Sequence, residues 1–64
     1  MEKVYYTITT QTLQQLVTQN PEEALQAFRN KWQVVKTVTL KTFTRYSAIK
    51  TEVTTEVTEE SEIL

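Results

Sequence analysis

The chain switches between two hydrophobic periods, and the switches mark its elements. From Lys3 to Thr9, Val4, Tyr6 and Ile8 fall on one face and Lys3, Tyr5, Thr7 and Thr9 on the other. That alternation is the signature of a half-buried strand. The period then lengthens. Thr12 with Gln15 matches a capping box, and Leu13, Leu16 and Val17 follow at helical spacing. A short helix is therefore predicted, ending near Gln19. A second helix is signalled by NPEEALQAFRNKW. Asn20 suits the N-cap, and Pro21 suits the first helical position because its missing donor would be unpaired there anyway. Glu22 and Glu23 complement the positive end of the helix dipole. Leu25, Phe28 and Trp32 form an apolar stripe with Ala24 beside it. Pro21 disfavours a helical Asn20, so two helices with a break are expected rather than one.

After Gln33 the period returns to two. Val34, Val38 and Leu40 share a face, interrupted by Lys36. Ile49, Thr51, Val53, Thr55 and Val57 alternate with Lys50, Glu52, Thr54 and Glu56. The spacing of Ile49, Val53 and Val57 also fits a helix, but the density of β-branched Thr favours a strand. The predicted fold is α+β, in the order β-α-α-β-β. Its three-stranded antiparallel sheet has two short helices on one face. The helical crossover lets the first and second strands run parallel, with the third between them in the order 2-3-1. Residues 1–58 form the expected single domain, and 59–64 an acidic tail that frays.

The last two strands predict a hairpin. Apolar matching sets Val38 opposite Val53, Val34 opposite Val57, Leu40 opposite Thr51 and Thr42 opposite Ile49. The closing loop is then Thr44-Arg45-Tyr46-Ser47, a length built around a type I turn that needs no Gly at its centre. A register that sets Leu40 opposite Val53 would pair Lys41 with Glu52, but it leaves Val57 opposite Lys36. The preferred register accepts Lys41 opposite Lys50 instead. With no Gly, Asn, Asp or Pro in the loop, a strand crossing to a second chain is the alternative to a turn.

Composition sharpens this picture. Sixty-four residues allow one small core. With no Cys and no His, disulfides, thiolate zinc sites and the commonest metal ligand are excluded. Gly is absent too, so no loop can use it to reach a positive φ. A core this small barely offsets the entropy of ordering, which favours association with a second copy. Nothing is long and apolar enough to span a membrane, and no signal-peptide pattern opens the chain, so the expected setting is cytoplasmic.

The net charge is −1, yet the charges are sorted. Between Ala24 and Thr51 lie Arg29, Lys31, Lys36, Lys41, Arg45 and Lys50, with no acid among them; from Glu52 onward every charge is a Glu. The two segments can neutralise each other along the hairpin. Alternatively, Lys41, Phe43, Arg45, Tyr46 and Lys50 gather at one end of the sheet as a nucleic-acid-binding surface, cations for phosphates and rings for bases. Catalysis lacks the usual bases and nucleophiles. Ser47 to Lys50 has a nucleophile-plus-lysine spacing, but the further motifs that would give it meaning are missing. No catalytic residue, metal site or cofactor is assigned. The leading expectation is a non-enzymatic interaction protein, a homodimer joined through its sheet that also binds a partner macromolecule. Tyr5, Thr7, Thr37, Thr39 and Phe43 are its candidate association residues.

Overall fold

Pro21–Arg29 forms α1, the one α-helix among the residues 2–63 that the computed structural model describes. Its caps explain its bounds. The Asn20 side chain accepts the Glu22 N–H at 3.0 Å, Pro21 opens the first turn, and Arg29 closes the last. At the other end the Lys31 N–H donates to the Phe28 carbonyl and the Trp32 N–H to the Ala27 carbonyl. That is a Schellman closure, and it needs a left-handed residue just past the cap. With no Gly in the chain, Lys31 fills that place at a φ of 63°.

Four strands surround the helix in sequence: β1 (Glu2–Thr9), β2 (Gln15–Thr18), β3 (Gln33–Phe43) and β4 (Ala48–Glu56). They form one antiparallel sheet in the order β2-β1-β3-β4. This corrects the expected three strands, two helices and order 2-3-1. The segment predicted as a first helix reverses instead, and Gln15–Thr18 pairs with Tyr6–Thr9. The Leu13 N–H donates to the Thr10 carbonyl and the Thr10 N–H to the Gln14 carbonyl, while Leu13 sits at a φ of 64°. This is a three-residue hairpin loop with a left-handed bulge, a position that Gly normally advertises. The extra reversal also changes the direction of every later strand. β3 runs antiparallel to β1 and pairs beside it, Glu2 opposite Leu40 through Thr9 opposite Gln33. β4 lies on the far edge rather than in the middle.

The long hairpin has the register that apolar matching predicts. Val38 faces Val53, Leu40 faces Thr51, Lys41 faces Lys50 and Thr42 faces Ile49. The Val57 N–H donates to the Val34 carbonyl at 2.9 Å. The Thr44 N–H closes the loop on the Ser47 carbonyl at 2.8 Å, so the chain reverses on itself. The Thr44 hydroxyl supports the turn, donating to the Ser47 carbonyl and accepting the Ser47 N–H.

The core sits at one end. Tyr6, Ile8, Val34, Val57, Ala24, Ala27 and Ile63 are buried together, with Val4, Leu25, Phe28 and Trp32 packed against them. Ala24 and Ala27 face the sheet, and the larger Leu25 and Phe28 flank them half-buried. Within the tail expected to fray, Glu60–Glu62 forms a 3₁₀ turn under this core, and Leu64 lies outside the described residues. The Tyr6 hydroxyl donates to the Ile63 carbonyl at 3.0 Å, and the Lys36 ammonium to the Glu62 carbonyl at 2.9 Å. An Arg29–Glu60 ion pair at 3.1 Å links the same turn to α1. Lys36 interrupts the apolar face of β3 because its charged tip reaches the carbonyl end of this turn.

Candidate self-association surface

Opposed residues share a face of the sheet, so the registers sort every strand position. The helix side carries Val4, Tyr6 and Ile8 of β1, Val34, Lys36, Val38, Leu40 and Thr42 of β3, and Ile49, Thr51, Val53 and Thr55 of β4. The helix cannot cover this whole face. Nine residues of helix span about 13 Å at 1.5 Å each. Eleven residues of β3 span about 36 Å at 3.3 Å each. Beyond the helix the row Val4, Val38 and Val53 crosses three strands, with Leu40 and Ile49 further out. Val4 and Val38 are half-buried, while Leu40 is 41% exposed and Ile49 and Val53 are each 51% exposed.

The molecule is correspondingly drawn out. Its principal extents are 45 × 23 × 17 Å, and its radius of gyration is 13.6 Å. A compact chain of this length would have about 10.7 Å. Its accessible surface is 5032 Å². The usual scaling for a folded monomer of this size gives about 4,250 Å². The excess, roughly 800 Å², matches what one partner contributes to a standard protein interface.

Among the described residues, β4 also leaves a backbone edge unpaired. The Val34–Val57 and Thr44–Ser47 hydrogen bonds show which opposed pairs on the hairpin exchange bonds. Because bonded and non-bonded pairs alternate, Ile49, Thr51, Val53 and Thr55 point their backbone groups at β3. Ala48, Lys50, Glu52, Thr54 and Glu56 point theirs outward, and all nine residues of β4 are exposed. Such an edge is a template for another strand, restrained here by charged side chains. The opposite edge of the sheet, β2, is only four residues long.

The outer face holds the residues the sequence singles out for association. Tyr5, Thr7 and Thr37 are half-buried there, Thr39 is 5% exposed, and Phe43 is open to solvent. Thr39 lies in register between Lys3 and Glu52, and its hydroxyl has no hydrogen-bond partner among the described residues. Thr37 and Thr54 hydroxyls meet across the hairpin at 3.5 Å. The large exposed aliphatic side chains of the hairpin, Leu40, Ile49 and Val53, lie on the helix side, away from this face. No pattern of residue types alone would have revealed this, because it follows from how little of the sheet α1 reaches.

The residues read as a nucleic-acid surface do converge. Lys41, Phe43 and Lys50 share the outer face at the hairpin end, and Arg45 and Tyr46 form the loop. The Arg45 guanidinium sits 5.7 Å from the Tyr46 ring centroid, a cation–π contact. Lys50 pairs with Glu52 on its own strand at 3.1 Å. Elsewhere a cleft of about 440 Å³ opens between α1 and β2, lined by Ile8, Leu16, Ala27 and Trp32 together with polar residues that include Asn20 and Gln26. Among the described residues no group of three or more His, Cys, Asp or Glu is placed to hold a metal ion. Nor is any helix among them long and apolar enough to cross a membrane. Comparison with protein-family models, curated proteins and solved structures gives no match to this chain.

Proposed function

We propose that this chain is a non-enzymatic interaction protein that self-associates through the distal half of its sheet and, as a dimer, binds a partner macromolecule. The observation that carries this reading is the uncovered helix-side patch of Leu40, Ile49 and Val53 beside an unpaired strand edge. Exposed apolar surface of this kind marks association sites. The excess surface of the monomer supplies enough area for a standard interface. Sedimentation equilibrium at tens of micromolar tests it, and a dimer is expected. Ile49→Asp and Val53→Asp should each shift the equilibrium toward monomer. Both side chains are already half exposed, so neither change removes a core contact. A wild-type chain that stays a folded monomer through that range would refute the reading.

A second reading, nucleic-acid binding through the hairpin end, is supported by the convergence of Lys41, Phe43, Arg45, Tyr46 and Lys50. The three cations would contact phosphates, giving a log–log salt slope of about −2.7 on duplex DNA and about −2 on single strands. A polarisation titration at about 50 mM salt, where such contacts are strong, would remove it by showing no binding.

A further inference from the structure

Resting on the self-association reading, we infer that the dimer forms by antiparallel pairing of β4 with β4 of a second copy, on a two-fold axis through Thr51. The backbone geometry restricts the choices. Only Ala48, Lys50, Glu52, Thr54 and Glu56 offer outward N–H and C=O groups, so these residues must meet one another across the interface. An axis through Lys50 sets that lysine on itself, and an axis through Glu52 sets two carboxylates together. Like charges directly opposed are unfavourable in a sheet.

An axis through Thr51 removes both conflicts. Lys50 of each copy faces Glu52 of the other, and Ala48 faces Thr54. On the helix side Ile49 faces Val53 in both directions, and the two Thr51 residues face each other. Ile49 and Val53, the large exposed aliphatic residues of β4, then each gain an apolar neighbour. The Lys50–Glu52 ion pair already present within each strand becomes half of a ring of four alternating charges. About eight backbone hydrogen bonds close the edge. An axis through Val53 also keeps charges opposite, Lys50 on Glu56, but it sets Ile49 against Val57, which is committed to the core. The two-fold stands perpendicular to the sheet, so the helices of both copies lie on one side. Their uncovered patches merge into a single apolar floor between them.

The pairing is isologous, and this supplies a test. Lys50→Glu opposes two carboxylates at both symmetry-related contacts, and Glu52→Lys opposes two ammonium groups there. Each variant alone should dimerise at least tenfold more weakly than wild type, while far-UV circular dichroism shows an unchanged fold. Mixed one to one, a chain of each kind meets in a heterodimer. One of its two contacts then joins the two introduced side chains and the other the two native ones, and both are pairs of opposite charge. The mixture should sediment as a heterodimer with an affinity within a few-fold of wild type. In the same vein, Thr51→Cys should oxidise to a covalent dimer faster than Thr55→Cys, which would face the loop of the other copy. The outcomes separate cleanly. If wild type dimerises but the single variants match it, or the mixture is no tighter than they are, this pairing is overturned and self-association stands. If wild type is monomeric, both fall.

Discussion

Leu13→Gly should stabilise the protein, although it deletes an apolar side chain. Leu13 holds a left-handed conformation at φ 64° in the β1–β2 loop, where its backbone closes the turn onto Thr10. An L-residue with a Cβ loses about 1–2 kcal/mol in that region. Gly removes the clash but has more unfolded-state freedom to lose, about 0.5–1 kcal/mol. The Leu13 side chain is 82% exposed, so its removal forfeits little burial. Mid-range values leave a gain of about 0.75 kcal/mol, or roughly 3–6 °C in Tm for a domain of this size. Urea titration followed by circular dichroism measures it, at one fixed protein concentration because dimerisation would add to apparent stability. Leu13→Ala is the control, since it deletes the same apolar bulk but keeps the Cβ and hence the clash. The reasoning fails if Leu13→Gly destabilises, or if Leu13→Ala stabilises as much. Lys31→Gly repeats the test at the Schellman closure of α1, with the same sign expected.

Contacts elsewhere make three further outcomes testable. Thr39→Val should raise stability by about 1 kcal/mol in the same titration, because a buried hydroxyl without a partner among the described residues is exchanged for a methyl of similar shape. Tyr6→Phe should lower it by about 1 kcal/mol, since it removes the hydroxyl that donates to the Ile63 carbonyl; an unchanged midpoint would show that this bond holds nothing. The Glu62 carboxyl is held below its ordinary value of 4.5, chiefly by accepting the Thr58 hydroxyl and the Thr58 N–H; burial opposes them, and the Glu59 N–H and Lys36 ammonium add to the lowering. A carboxyl with a depressed folded-state pKa contributes fully above the unfolded value and loses its contribution as pH falls through the folded one. The near-UV circular dichroism of the aromatic side chains should therefore weaken only below about pH 4.5, and Glu62→Gln should flatten that transition.

The sequence made the long hairpin legible because its Val and Thr positions have one register that buries like against like. α1 was legible because Asn20, Pro21 and the paired glutamates are terminal signals that act locally. β2 was not. Leu13, Leu16 and Val17 have helical spacing, and the loop before them hides its bulge by using Leu where Gly would announce it. Mistaking that reversal for a helix turned β3 around and moved β4 to the centre. Lys36 looked like a flaw in an apolar row because its partner, the Glu62 carbonyl, is backbone and lies 26 residues away. Of the candidate site, the gathering of Lys41, Arg45, Tyr46 and Lys50 followed from the register alone. The exposed helix-side aliphatics could not, since Ile49 and Val53 read as core until the length of α1 is known.

One end of the β3–β4 hairpin is clamped by Val34, Val57 and the 3₁₀ turn, and the other projects from the body like a cantilever. Little of the folding energy resides at its tip, so Arg45 and Tyr46 can be exchanged with almost no penalty to the rest of the chain. Selection, or a protein engineer, could therefore rewrite what the tip touches without renegotiating how the protein folds.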